Sequence, residues 1–564
     1  MKTVKKTKGF SLFLAIVMVL AMACSAWAVR NSTLTVNGVS ETVADDIEVA
    51  TGRGINVSNG GTVTNAGYNI KTLGQDGIGI RVTDAGSRAD TSGDITTEGQ
   101  SAHALHVITD AEAVFSSGTI RTSGLYAHGV SSNAGSVDVT ATIITDNDSA
   151  NGINTSHAYV RMKGDITTAG TLARGAYINE DSTFVFDGTV QTSDTDSHGI
   201  YIRKGSSADL TGTITTTGTS SIGLQVYDNS NATMNGTIMT SGERSNGVNV
   251  STNSSVEMIG DITTSGNGSV GARATWQGNV SVEGNITVNG ADSFGIGATN
   301  DSTAKMSDGT LTVTDSSSSA LSLNNNGEAT LTNVIVDSER LLETSTSGVL
   351  NAESSDLTGD VYHNGFGGDA EMLEVNLKDS ALEGAIIAIP GVGNLEGGAV
   401  DVALESSDWY VTGDSNTNGK VTGDANSSID YSQAPEGTTV IIDELVGTPD
   451  ISMKPGDAIG ITNSTGNNSE FVSSNPDVLE VVQNDDGSWS VISKGEGDAE
   501  LSYSYKDENG TKHTVTTGVS SAYSEGQSGP DNTKKSGGSS SNCNTGVGAA
   551  VFALLGLAFI QKRK

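Results

Sequence analysis

The residues best equipped for chemistry are Ser197, His198, Arg203 and Lys204. A histidine beside a serine, followed by two cations, could support acid–base work on a glycosidic bond. That work also needs a pair of carboxyl groups. No Asn-x-Asp or Asp-Asp pair stands where it could supply them. The position of His198 is taken in later repeats by Ile222, Asn246, Val270 and Phe294. A catalytic group does not normally occupy a place that a repeating turn fills with apolar residues. His103, His128 and Asn151 hold the same place in earlier repeats. Stacked turn residues that hydrogen-bond from repeat to repeat explain this better than a metal site. Asp414-Ser415-Asn416-Thr417-Asn418-Gly419 opens like a calcium loop, but its twelfth position is Ala425 instead of a bidentate Glu. A turn is expected there. The chain carries no Gly-rich phosphate loop, Cys-x-x-Cys pair or nucleophile elbow, so no catalytic, metal or cofactor site is expected.

The elements that would position such residues come from a repeat. Gly-x-apolar triplets recur about every 24 residues at Gly188-Thr189-Val190, Gly212-Thr213-Ile214, Gly236-Thr237-Ile238, Gly260-Asp261-Ile262 and Gly284-Asn285-Ile286. Gly309-Thr310-Leu311 follows one residue late. A second marker, Gly199-Ile200 through Gly295-Ile296, keeps the same step. A third is an apolar pair two apart, as in Phe184/Phe186 and Val256/Met258. Ile70, Ile95, Ile120, Ile143 and Ile166 carry the first column upstream. Three alternating runs per period are three short strands, because alternate residues face opposite sides of a strand. The runs are rich in Ile, Val and Thr, and the turns in Gly, Asn, Asp and Ser. No room is left for a helix. The fold expected is all-β: a three-sided parallel β-helix of about 24 residues per coil, right-handed by the crossover rule.

Composition sets limits. With 5% aromatic and 17% charged residues and 71 Gly in 564 residues, the chain could be disordered, but its periodicity argues otherwise. A net charge of −36 disfavours nucleic acid and anionic lipid as partners for the body. All six prolines fall at or after Pro390, as a parallel ladder that needs every amide donor requires.

At the N-terminus, Lys2, Lys5, Lys6 and Lys8 precede an apolar run and Ala26-Trp27-Ala28, the pattern of a secretory signal over residues 1–28 cleaved after Ala28. Leu20-Ala21-Met22-Ala23-Cys24 makes only a poor lipobox. Residues 29–53 show a weak pattern and are expected to cap the helix, which runs from 54 to 447. Both cysteines, Cys24 and Cys543, lie in terminal segments, so no disulfide is expected in the body.

Asp356-Leu357-Thr358-Gly359-Asp360-Val361, Ser407-Asp408-Trp409-Tyr410-Val411-Thr412-Gly413-Asp414-Ser415 and Gly437-Thr438-Thr439-Val440-Ile441-Ile442-Asp443-Glu444-Leu445-Val446-Gly447 resemble the C-terminal part of pertactin-like autotransporter passengers. The resemblance implies a segment that caps the β-helix and helps start its folding. No membrane β-barrel follows here, so self-transport is not expected. Instead, Ser473-Ser474-Asn475-Pro476, the Val481-Val482 pair and Lys494-Gly495-Glu496-Gly497 before an alternating strand resemble a bacterial Ig-like domain of group 2. This implies a small β-sandwich over residues 448–520, a surface spacer or adhesive module. Residues 521–542 read as a Ser/Gly-rich linker. Gly537-Gly538-Ser539-Ser540-Ser541-Asn542-Cys543, the apolar run Val547–Ile560 and Lys562-Arg563-Lys564 resemble GlyGly-CTERM and Synergist-CTERM sorting tails. Over 543–564 that resemblance implies processing near Gly537, Gly538 and Cys543, with Cys543 as the anchoring residue.

The function these features imply is a non-enzymatic bacterial surface protein, an adhesin or surface-structural rod secreted to the cell surface and held by its tail. The partners implied are a host or neighbouring cell surface or polysaccharide, and envelope sorting machinery at the tail. Contact with membrane is expected only through that tail. A carbohydrate-active enzyme, a lyase or hydrolase, on the same scaffold is the alternative.

Overall fold

A computed structural model describes residues 29–365, 371–389, 398–507 and 509–523. Every regular element among the described residues is a strand, and there is no helix. The chain divides into two compact units, 1–318 and 319–564.

In the first unit each turn of chain makes three strands, and each strand pairs in parallel with its copy one coil on. Ile200–Arg203 is a strand of the first face. Ser207–Thr216 then supplies the second and third faces, bending at Gly212. Leu224–Tyr227 returns to the first face. The predicted columns are the actual registers. Val190, Ile214, Ile238, Ile262, Ile286 and Leu311 pair in succession, each 0% exposed. Ile70, Ile95, Ile120, Ile143 and Ile166 form the upstream part of the same column. The late Gly309 also falls into place: Glu283 pairs with Ser307 but Ile286 with Leu311, so Asp308, at φ +53°, absorbs one extra residue. Residues 29–53 already carry coil strands. Leu34–Asn37, Ser40–Thr42 and Asp46–Val49 pair in parallel with the next coil. The weak pattern there reflects the polar, exposed Ser40–Thr42 strand.

Small polar residues wire the turns. The Ser221 amide donates to Ser245 Oγ at 2.9 Å, the Ser245 amide to Ser269 Oγ at 2.9 Å and the Ser269 amide to Ser293 Oγ at 3.0 Å. All four serines are 0% exposed. A second column runs through Ser182, Ser206, Ser230 and Ser254. At the end of the third face Thr192, Thr216 and Thr240 each donate to the carbonyl five residues on, at 2.6 Å. These hydroxyls satisfy turn amides and carbonyls that the strand ladders leave over. Much of the Ser and Thr content is therefore internal wiring. Ser245→Ala strands the buried Ser221 amide and should cost about 2 kcal/mol. Ser255→Ala, on an exposed strand position, should cost under about 0.5 kcal/mol. Urea midpoints of the two variants check the difference.

The second unit repeats the plan less regularly. Leu350, Val375, Val402, Val421 and Leu445 make one inward column. Leu357, Leu382, Trp409, Ile429 and Ile451 make another. Trp409 is wholly buried, and its indole N–H donates to the Gly384 carbonyl at 3.0 Å. A serine column, Ser355, Ser380, Ser407 and Ser427, wires the turns as in the first unit.

The ladder crosses the boundary expected at 447/448. Asp450–Met453 and Ala458–Ile461 still pair in parallel with the preceding coil. The pairing then becomes antiparallel. Ala458–Ile461 joins Trp489–Ser493, which joins Leu479–Gln483. Ser469–Ser473 joins Gly497–Lys506, which joins Lys512–Ser521. The last strand returns beside Asp450–Met453. Two strands thus serve both the coil and the antiparallel segment. Ala499, Leu501 and Tyr503 are buried, as their alternation with Tyr505 predicts, but Tyr505 itself is half-buried and its neighbour Ser504 is buried. Phe471 stacks on Tyr503 with 5.1 Å between ring centres. The Tyr503 hydroxyl donates to the Gly447 carbonyl at 2.6 Å, tying this core to the last coil.

Candidate functional site

The first face of the 1–318 unit stands apart in charge. Its strands run from Leu34–Asn37 to Phe294–Thr299, each paired with the next. None of them contains an Asp or Glu. On the second face Asp90, Glu112, Asp138, Asp187, Asp209, Glu257 and Glu283 lie within strands. Cations on the second face include Arg88, paired with Asp90 at 2.7 Å and Glu112 at 2.6 Å.

Histidines at the entrance to the first face hydrogen-bond along the stack, as expected. His103 Nδ1 accepts the His128 amide at 3.1 Å, and His128 Nδ1 accepts the Asn151 amide at 3.0 Å. Asn151 Oδ1 then accepts the Arg174 amide at 2.9 Å. Further on, His198 Nδ1 accepts the Ile222 amide at 3.1 Å and Asn246 Oδ1 the Val270 amide at 2.9 Å. A ring nitrogen that accepts an amide must be unprotonated. Burial agrees with that. It is the main cause that lowers His103 and His198 to about 4 and His128 to about 3; the charge of His103 adds for His128 and that of Arg174 for His198. The His103 and His128 rings stack at 4.9 Å, and His106 meets His103 edge-on at 5.3 Å.

Of the residues singled out for glycosidic chemistry, Ser197 and Lys204, like His198, are placed in structural bonds. Ser197 Oγ donates to the Gly170 carbonyl at 2.6 Å and accepts the Ala173 amide at 3.2 Å. Lys204 pairs with Glu180 at 2.9 Å, and Glu180 also accepts from Ser156 at 2.6 Å. Hydrogen bonds from Ser156 and Lys204 hold the Glu180 carboxyl at about 2. The calcium-like stretch is a strand and turn: Asp414 Oδ1 accepts the Thr439 amide at 2.9 Å and Asn416 Oδ1 the Asn418 amide at 3.2 Å.

Around His198 lies a cluster that residue spacing alone does not single out. Tyr177 and Tyr201 are register partners on adjacent coils, with ring centres 5.5 Å apart. The Arg174 guanidinium sits 5.1 Å from the Tyr177 ring centre and 5.2 Å from that of Tyr201. Arg203 lies 5.6 Å from the Tyr227 ring centre on the next coil. His198 meets Tyr201 edge-on at 5.6 Å. Burial works against the Arg203 charge, but the Tyr177 and Tyr201 phenols and Asp228 outweigh it and raise its pKa. For Arg174 burial prevails and lowers the pKa, although Tyr177, Tyr201 and Asp196 favour the charge. The sequence picks out His198 and Arg203 of this cluster; the signal of its tyrosines is two of them one period apart in a chain with few aromatics.

Ala28, Gly537, Gly538 and Cys543 lie outside the described residues, as do Cys24 and the apolar run 547–560. No helix among the described residues is long and apolar enough to cross a membrane.

No protein-family model matches the chain, and no curated protein matches it in sequence. Among solved structures it is similar to a chain of the cryo-EM structure of the Vag8–C1 inhibitor complex, with 18% identity and a TM-score of 0.45 over 75% of this chain and 100% of that one. A likeness of this degree carries no conclusion about ligand or partner.

Proposed function

We propose that the chain is a non-enzymatic protein of a bacterial surface, an adhesin or surface-structural element exported by residues 1–28 and anchored through its C-terminal tail. The observation that carries this reading is the use of the chemically able side chains. Ser197, His198 and Lys204 are each engaged in bonds that hold coil to coil. What the scaffold offers outward is a long, repetitive surface, suited to contact and not to turnover. The pertactin-like stretches fall on the coils that precede the antiparallel segment. That segment's two strand sets, one ending on Ala458–Ile461 and one on Asp450–Met453, support reading it as an Ig-like module fused to the coil.

Two measurements test this reading. Incubating the purified chain with a panel of polysaccharides should release no new reducing ends or unsaturated products; release would favour the carbohydrate-active enzyme. A strain lacking the chain should attach less to host or neighbouring cells than wild type. Equal attachment would leave only a structural coat role.

A further inference from the structure

Resting on the reading of the chain as a surface-binding protein, we propose that Arg174, Tyr177, His198, Tyr201, Arg203 and Tyr227 form a binding track for an anionic polysaccharide. Charge is the first argument. The chain carries −36 overall, yet the strands of this face contain no carboxylate. Two arginines stand there and take part in no ion pair among the described residues. Asp196 and Asp228, in the flanking turns, are near enough to favour the two charges without pairing with them. Arg174 Nε, Arg203 Nε and Asn179 Oδ1 have no hydrogen-bond partner among the described residues. Lys204, one residue on, is matched to Glu180, whereas Arg81 and Arg273, on other strands of this face, are in no ion pair among the described residues either.

The aromatic rings narrow the ligand class. A carboxylate-bearing peptide needs only the cations. Half-buried tyrosine rings beside guanidinium groups suit a chain that presents flat apolar ring faces and an anionic group on the same residue, as uronic or sulfated sugars do. Tyr177 and Tyr201 stand on adjacent coils at the strand spacing of about 4.8 Å, and Tyr227 follows one coil on, in the column of Arg203. A ligand running along the coils therefore meets all three rings, whereas a compact ligand would meet one or two. Because the side chains stand on paired strands and are stacked on one another, little order has to be imposed on binding. The acidic remainder of the chain repels a polyanion, but beyond about 10 Å that repulsion is screened at 0.1 M salt. The track should therefore act at short range.

The test uses the full chain and two variants whose new residues the neighbouring coils already carry. In the double variant Tyr177→Asn/Tyr201→Gln, the new residues match Asn154 and Gln225 of the same column. Arg174→Asn matches Asn151 and Asn246 of the same turn position. Their melting temperatures should stay close to wild type, and binding is compared only for variants that meet this condition. Tyr227→Ser, matching Ser251, replaces any that does not. Retention is measured on immobilised polygalacturonate, heparin, dextran and poly-glutamate. Wild type should be held by polygalacturonate, heparin or both, and by neither dextran nor poly-glutamate. The stronger of the two anionic arms identifies carboxylate or sulfate as the recognised group. Each folded variant should bind about tenfold more weakly. The track is overturned by absence of retention on both anionic polysaccharides, by equal retention on poly-glutamate, or by unchanged binding in the variants. Cell attachment separates this from the broader reading. Attachment lost on deletion but kept in the variants defeats the track alone. Attachment unaffected by deletion defeats the adhesin reading.

Discussion

Lowering the pH from 7 to 4 should destabilise the 1–318 unit by several kcal/mol, and replacing His128 by Asn should remove part of that loss. Burial first, then the charges of neighbouring histidines and arginines, lowers His106 and His198 to about 4 and His128 to about 3, against an ordinary value of 6.5. Burial alone lowers His103 to about 4, with Asp76 opposing it. In the unfolded chain all four titrate near 6.5. Above that pH neither state holds the proton and the stability is whole. As the pH falls from 6.5 towards 4 the unfolded chain takes up protons that the folded chain refuses, so stability declines. His128 taken alone accounts for about 3 kcal/mol of this. Below about 4 the folded rings begin to protonate as well, His128 last, near 3. His128 Nδ1 then can no longer accept the Asn151 amide, and the stack loses its bond at that turn. Asn at position 128 offers a carbonyl oxygen in place of Nδ1, as Asn246 does for Val270 at 2.9 Å. His128→Asn should therefore match wild type at pH 7 within about 1 kcal/mol and exceed it at pH 4.5 by about 2 kcal/mol. His128→Ala leaves the amide without a partner and should already lose about 2 kcal/mol at pH 7. Urea midpoints at pH 7, 6, 5 and 4.5 decide the matter, since the carboxylates titrate alike in all three proteins. Parallel pH profiles for wild type and His128→Asn would refute the account.

The coil is legible in the sequence because its cause is periodic. An inward position must hold an apolar residue in every coil, so Val190, Ile214, Ile238, Ile262 and Ile286 declare the register by their spacing alone. The bonding of His103, His128 and His198 can be read for the same reason: one turn position, repeated. The serines are harder. A run rich in Ser and Thr reads as a polar surface, yet Ser221, Ser245, Ser269 and Ser293 are fully buried. Their burial follows from the amide left over at each turn, which only the three-dimensional path reveals. The Tyr–Arg cluster is hidden because it is confined to two or three coils. Asn154 and Gln225 stand before and after Tyr177 and Tyr201 in the column, so no repeating mark draws attention to them. The charge pattern of the first face is lost in the sum of −36 and emerges once each strand is assigned to a face. At residue 447 the change of composition signals a new module. It does not signal that Asp450–Met453 and Ala458–Ile461 belong to both sides of the boundary, because each strand has one edge for the coil and one for the antiparallel segment.

Gly212→Ala should be among the most damaging single changes in the first unit, at about 4 kcal/mol. Gly212 sits at the corner between the second and third faces with φ +129°, a backbone conformation that other residues rarely adopt. A Cβ there would also lie 1.8 Å from the Gly188 carbonyl oxygen of the coil before. That oxygen is fixed between paired strands and cannot swing aside as a side chain does. The corner column contains one instructive exception. Ala141 holds the equivalent corner, and it is not among the residues with positive φ. A corner alanine is therefore compatible with the fold only where the local path differs. At Gly212 the chain must shift to that other path while both neighbouring coils keep theirs. In a stacked array such a shift is transmitted to adjacent units, so amide exchange should rise at the Gly188 and Gly236 corners as well as at the substituted one. Gly60→Ala supplies the control. Gly60 has φ +75°, but nothing lies within 4 Å of an added Cβ, so only the cost of the backbone conformation remains, about 1 kcal/mol. If urea midpoints placed the two variants within about 1 kcal/mol of each other, close approach of coil to coil would not be what reserves this column for glycine.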